Sequence, residues 1–389
     1  MTGLNKAWHL FRDEVKYLLG GRVPLAAILI GLPLAFTLLF GMVYHDNVVN
    51  TISMVVHDED QSSMSRQLIQ MYADSERFNI VAYADSEEEM EHSINSGQAK
   101  VALGIPKDFS RDAKLGRGAD LLLMVNSANN MFANAAMTAS QEIARTYTVA
   151  IGQKMLESAG LLPQQAMDSV YPIRLGVRIL GNPTNGYTPF MLSGLMMNGL
   201  QIGIMLTIAP LLITELLRRR YDWNYAAWLH LAVRWIPYWL LAMAGYLISL
   251  FVAIHCFAVP MAGSWLDAAA LGGAFCFFVC GVLLLFSACS PTQVLSFQAP
   301  MLYIMPGLLY SGLSWPSFDM SEYAAIFGAL MPMTYGGDTL RDILLMGYAP
   351  SLTANCGKMI LGGLLCGLLA WGIFVLRRHF SWKKVGDPT

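Results

Sequence analysis

Asn198 and Gln201 stand one helical turn apart deep inside a long apolar stretch. An amide at membrane depth has two uses: it lines a path for a polar group, or it bonds to a neighbouring helix, because hydrocarbon offers no other partner. The same stretch carries Met191, Met196, Met197 and Met205. Thioethers bind soft copper, but flexible filler in an adaptable apolar surface is their commoner use. Asn198, Gln201, Met197 and Met205 are therefore the candidate lining of a translocation path. Glu215 closes the stretch, and Arg218, Arg219, Arg220, Tyr221, Asp222 and Trp223 follow it. Arginines at the end of an apolar segment act first as a topological anchor. Cys276 and Cys280, at i and i+4, read as small buried hydrophobes rather than a metal or redox pair.

The chemistry that is missing is equally informative. The only Gly-Lys pair, Gly357-Lys358, lacks the upstream glycine of a phosphate-binding loop and is followed by Met359. There is no His-Glu-x-x-His, no Gly-x-Ser-x-Gly, and no histidine and carboxylate set with metal spacing. The chain is thus expected to carry no cofactor and no nucleotide site of its own. Ion-driven carriers need titratable groups at mid-membrane depth, whereas Glu215 and His255 sit at the ends of apolar segments.

These residues need elements to position them. Val23 to Tyr44 forms a first apolar span, which at the helical rise reaches about 33 Å, enough to cross a hydrocarbon core. Five more are expected at 188–217, 232–256, 266–289, 293–313 and 357–376. The turn Ser290-Pro291-Thr292 joins two of them, and Pro300 and Pro306 should kink the fifth. Segment 1–22 carries Trp8, Phe11, Val15, Leu18 and Leu19 at helical spacing among charges, so it reads as an amphipathic interfacial helix. Segment 314–352 is too interrupted to cross and too apolar for a free loop, which predicts short helices at or re-entering the outer leaflet. Gly199 with Gly203, and Gly363 with Gly367, have the spacing of close helix contacts, within one chain or between two.

Composition agrees with a membrane protein: 55% of residues are hydrophobic and 13% charged. The arginines have a topological explanation, and no basic face for nucleic acid is visible. Lys and Arg concentrate before the first span, at 218–234 and in the tail 377–389, while 256–265 and 314–356 offer only Arg341. By the positive-inside rule both termini are cytoplasmic and residues 45–186 lie outside. The first span exceeds a signal-peptide core and lacks a cleavage site, so it is expected to be retained.

Residues 45–186 alternate strand and helix signals. Thr51–Val56, Arg77–Tyr83, Lys100–Ile105 and Ala119–Val125 read as strands, and Ser62–Tyr72 reads as a helix. Ser86 with Glu89 makes a capping box. Pro106 should open a helix, Asn130–Ala159 a long one stopped by Gly160 and Pro163, and Tyr171–Leu180 a return strand. The expected architecture is an α-helical integral membrane protein with six transmembrane helices. An extracytoplasmic α/β domain, 45–186, is inserted between spans one (23–44) and two, and 187–376 form the rest of the membrane domain.

Several motifs resemble one family over nearly the whole chain. They are Asp58-Glu59-Asp60-Gln61-Ser62-Ser63-Met64-Ser65, Ser86-Glu87-Glu88-Glu89 and Gly104-Ile105-Pro106-Lys107-Asp108-Phe109-Ser110. Nearer the C-terminus come Leu309-Tyr310-Ser311-Gly312-Leu313 with Trp315-Pro316, Met331-Pro332-Met333-Thr334-Tyr335 and Leu340-Arg341-Asp342. In order and placement these resemble the permease subunits of type 2 ABC exporters with a large outer domain.

The resemblance implies export across a bacterial inner membrane, driven by a separate cytoplasmic ATPase that holds ATP and Mg. It also implies a second permease copy or paralogue, and often a periplasmic membrane-fusion adaptor. It gives Glu215, Arg218, Arg219, Arg220, Tyr221, Asp222 and Trp223 a role in coupling to the ATPase, although the family's Gly-Thr at the end of that run is absent here. An amphipathic or hydrophobic, drug-like or lipid-like cargo suits a path without buried charge. The alternatives are a non-transporting scaffold whose outer domain binds a partner, and a membrane-anchored enzyme.

Overall fold

The computed structural model describes residues 3–20, 25–173, 175–218 and 227–383. Two compact units emerge, one of residues 1–47 with 179–389 and one of residues 48–178. The chain opens with α1 (Gly3–Leu19), whose stripe buries Leu18 while Trp8 and Leu19 stay exposed. It ends before the first apolar helix, α2 (Leu25–Val43), which contains Pro33.

The unit 48–178 is built on a four-stranded sheet of order β2-β1-β3-β4. Its elements run β1 (Ile52–Asp58), α3 (Ser63–Ala73), β2 (Phe78–Tyr83), α4 (Glu87–Asn95), β3 (Val101–Ile105), α5 (Phe109–Lys114), β4 (Leu122–Val125), α6 (Asn130–Ser158) and α7 (Pro163–Val170). β1 pairs in parallel with β2 and β3, and β3 pairs antiparallel with β4. Alternation along β1 sends Met54 and Val56 to one face with Leu68 and Tyr72 of α3 and Ala136 and Tyr147 of α6. Val55 faces the other way, with Met90 of α4 and Ala102 of β3. The expected capping box forms with its return bond shifted by one residue: Ser86 Oγ accepts from the Glu89 amide at 3.2 Å, while the Glu89 carboxylate accepts from the amide of Asp85, the residue before the cap, at 2.7 Å.

Three local expectations need correction. Pro106 does not open α5; the helix starts at Phe109, after Asp108 in the left-handed region at φ 69°. Pro163 does not merely stop α6, because its fixed φ starts α7 at that helix's first position. Residues 171–180 form no strand among the described residues. Their apolar alternation, Ile173, Leu175 and Val177, is 83%, 71% and 71% exposed, so no core rewards pairing.

The other unit continues with α8 (Tyr187–Ile208), α9 (Leu211–Arg218), α10 (Ala227–Cys256), α11 (Trp265–Cys289) and α12 (Gln293–Ile304). A 3₁₀ turn, Met305–Ser311, extends α12, and a second, Ser317–Asp319, precedes α13 (Glu322–Gly328), α14 (Pro332–Met346) and α15 (Leu352–Lys383). Among the described residues, five helical stretches are long and apolar enough to cross a membrane: Leu25–Val43, Tyr187–Leu216, Leu231–Cys256, Trp265–Cys289 and Leu352–Arg377. The span expected at 293–313 is no continuous α-helix. Pro306 stands in the first turn of the 3₁₀ segment, where its missing N–H ends the α-helical bonding of α12.

α8 is the buried centre of this unit. A Cβ on its Gly199 would lie 2.6 Å from the Phe36 ring of α2, and one on Gly203 would lie 3.4 Å from the Ile28 carbonyl. In α15, Gly363 lies against Phe277 of α11 and Gly367 against Trp235 of α10. Both glycine pairs are therefore used for packing within the chain.

Candidate functional site

Gln201 is buried in α8 and donates from Nε2 to Asn198 Oδ1 at 2.8 Å and to the Ile304 carbonyl at 3.4 Å. Ile304 is the last residue of α12 before the 3₁₀ turn, so Gln201 ties α8 to that junction. Asn198, Gln201 and Met205 share one stripe at i, i+3 and i+7. Met197 lies beside it and fills the space over Gly336, where a Cβ would come within 2.6 Å of the Met197 methyl carbon. Met197, Gln201 and Met205 are all buried, and Asn198 is half-buried.

At the far end of α8 the chain turns into α9. Ser287 of α11 accepts from the Leu212 and Ile213 amides at 2.9 and 3.3 Å, satisfying donors that the first turn of α9 leaves unpaired. Gln293 of α12 donates to Thr214 Oγ1 at 2.8 Å. Arg377 of α15 closes the end of α11, donating to the Ala288 and Ser290 carbonyls at 2.5 and 2.7 Å. α9 thus sits on three neighbouring helices and carries Glu215, 4% exposed, and then Arg218. Arg219, Arg220, Tyr221, Asp222 and Trp223 lie outside the described residues.

Glu215 borders a cavity of about 250 Å³ together with Asp13, Glu14 and Tyr17 of α1, Thr207 of α8 and Tyr238 of α10. Glu14 accepts from the Tyr238 hydroxyl at 3.1 Å. The sequence reasoning missed α1 here. Its signal was Glu14 itself, a charge placed between Phe11 and Leu18 on the stripe that reads as apolar.

The C-terminal motifs converge on α14. Thr334 Oγ1 bonds the Gly328 carbonyl at 2.7 Å, Tyr335 the Ala329 carbonyl at 2.6 Å and Ser311 the Leu308 carbonyl at 2.6 Å. Leu313 packs where Cβ atoms on Gly194 and Gly337 would stand. Arg341 pairs with Asp338 at 2.6 Å. The earlier motifs meet likewise in the other unit: Asp60 accepts from the Ser110 amide and hydroxyl, both at 3.2 Å. Burial opposes the Asp60 charge, yet the bonds from Ser62 and Ser110 hold its pKa below the ordinary carboxylate value.

At the end of β1, His57 bonds the Ala84 carbonyl at 2.8 Å and Glu59 at 3.1 Å. Burial disfavours its charge, but that carbonyl and the Glu59 and Asp85 carboxylates outweigh it and raise its pKa above the usual histidine value. Among the described residues no cluster of three or more His, Cys, Asp or Glu is placed to hold a metal ion. Cys276 and Cys280 are both buried and free.

Five crossing-capable helices among the described residues, the buried α8 being one of them, with a short capped helix at one end, define a multi-pass membrane protein. The family model described as ABC-2 family transporter protein matches residues 25–371, and the chain belongs to that family. It is a transporter permease, a class that works with an ABC ATPase subunit, rather than a catalytic enzyme. Among its relatives is a protein of Escherichia coli K12 named "Probable multidrug ABC transporter permease YbhR". The two are 24% identical over 345 residues, covering 88% of this chain and 90% of the relative. The protein of the same name from Escherichia coli O157:H7 matches equally.

Proposed function

We propose that the protein is the membrane half of an ATP-driven exporter that moves an amphipathic or hydrophobic compound outward across a bacterial inner membrane. The observation that carries this reading is the family match over residues 25–371, together with five crossing-capable helices among the described residues. Two permease copies stand over two cytoplasmic ATPases, which hold the ATP and Mg, and the unit 48–178 faces outward to gate the exit or dock an adaptor. A drug-like cargo is supported by the name of the relative and by the methionine-rich α8. α12 with its 3₁₀ extension supplies the sixth crossing: twelve α-helical and seven 3₁₀ residues span roughly 32 Å. α9 and the segment after it, Glu215 to Trp223, meet the ATPase.

The test is assembly. Purified alone, the chain should hydrolyse no ATP. With its cognate ATPase added it should stimulate hydrolysis, and replacing Arg218, Arg219 and Tyr221 together by Ala should weaken that stimulation. If no ATPase copurifies, and none is stimulated by the reconstituted chain, the scaffold reading replaces this one.

A further inference from the structure

Two connections join the unit 48–178 to the rest of the chain, one leaving after Asn47 and one returning at Ile179. Hydrogen bonds tie them together. The Asn47 carbonyl accepts from the Tyr187 amide at 2.7 Å, and Asn47 Oδ1 accepts from the Thr188 amide at 3.1 Å. Gly186, in the N-cap position of α8, has no side chain to offer, so Asn47, 141 residues from Thr188, caps the helix in its place. The Thr188 hydroxyl donates in turn to the Tyr44 carbonyl just past the end of α2, and the Tyr44 and Tyr187 rings meet edge-on at 4.7 Å.

The returning chain has little slack. Asn182 Oδ1 accepts from the Gly186 amide at 3.1 Å, and its Nδ2 donates to the Gly186 carbonyl at 2.8 Å, which closes the turn 182–186. Asn47 at φ 61°, Asn185 at 49° and Gly181 at 81° all stand in the left-handed region that Asn and Gly enter most readily. A Cβ on Gly181 would lie 2.7 Å from Met346 Sδ and 3.3 Å from the Leu345 carbonyl, so the chain rests on the last turn of α14 before it reaches the clamp on α2 and α8. Passage along the stripe of Met197, Gln201 and Met205 needs α8 to part from α14, where Met197 lies over Gly336. Segment 181–188 spans that seam. Hinges absorb such a movement by changing φ and ψ at a few loop residues, and these bonds and left-handed positions resist that change.

We propose that Asn47 is a positioning residue for export: by capping α8 it makes segment 181–188 a stiff link, through which the parting of α8 from α14 moves the unit 48–178. The inference rests on the exporter reading above. The full chain with its cognate ATPase in lipid nanodiscs tests it, in a background whose six native cysteines are replaced by Ser. Spin labels are placed on Ser96→Cys in the unit 48–178 and on Ser317→Cys in the 3₁₀ turn before α13, both exposed positions. ATP with vanadate should shift the distance distribution between the labels. Asn47→Ala should lose that shift while ATPase stimulation persists, and Asn47→Gly, which keeps the left-handed backbone without the amide, should do the same. Asn47→Asp, which keeps the accepting oxygen, should retain the shift. A full shift in Asn47→Ala would overturn the proposal, as would no shift in a parent protein that still stimulates its ATPase. So would failure of Asn47→Asp to respond, or loss of stimulation in step with the shift in Asn47→Ala, the mark of a merely structural role. If the parent stimulates no ATPase, the exporter reading falls first and this inference with it.

Discussion

Pro33 removes one N–H from the middle of α2, and the carbonyl it leaves without a helical donor belongs to Leu29. Gly245 of α10 packs against that carbonyl, and a Cβ there would lie 2.5 Å from the oxygen. Gly245→Ala should therefore force α2 and α10 apart and destabilise the fold by about 1–3 kcal/mol, read as a lower melting temperature in detergent. Gly273→Ala, whose Cβ would meet only Trp239 at 3.7 Å, should be nearly silent. A second residue-scale expectation concerns His57. Its folded-state pKa is raised, so its stabilising contribution is complete below the unfolded value of about 6.5 and fades as pH climbs through the folded value. The unit 48–178 should lose stability over that rise, and His57→Gln should flatten the dependence. Equal pH profiles for the two proteins would remove His57 from the account. This histidine was illegible in the sequence because its partner, Ala84, is 27 residues away and contributes only a backbone carbonyl.

At the scale of elements, legibility followed the local strength of the signal. Caps and alternation placed β1, α3, β2, α4 and β3 close to their observed limits, since Ser62 and Ser86 both accept amide hydrogen bonds in the first turns they precede. Proline was ambiguous, because the same fixed φ that ends one helix starts the next: Pro163 opens α7, and Pro306 converts an expected span into α12 plus a 3₁₀ turn. No propensity could report that Ser287, 75 residues from Leu212, supplies the cap of α9. Ser287→Ala should destabilise α9 by about 1 kcal/mol. It should also weaken ATPase stimulation with little effect on insertion, whereas Ser287→Thr, which keeps the hydroxyl, should restore part of both. Full stimulation by Ser287→Ala would mean that α9 needs no support from α11 to act.

At the scale of the whole molecule, the sequence disclosed that this is a membrane protein and which residues are chemically unusual, but not which faces they occupy. Asn198 and Gln201 pointed to a bond between helices somewhat more than to a path. The structure uses Gln201 for the bond, at the one junction where α12 gives way to a 3₁₀ turn. Met197, Gln201 and Met205 are closed over by neighbouring helices, so passage along this stripe requires the contact of α8 with α12 and α14 to open. A mechanism of that kind needs an inside and an outside, and the sidedness proposed above rests on the arginine asymmetry alone. Ser96 lies exposed between α4 and β3, and Lys16 lies exposed on α1. In a background with the six native cysteines replaced by Ser, Ser96→Cys in whole cells with a permeabilised outer membrane should react with an impermeant maleimide. Lys16→Cys should react only after the inner membrane is opened. The reverse pattern would put the unit 48–178 in the cytoplasm, and α9 could then no longer meet the ATPase.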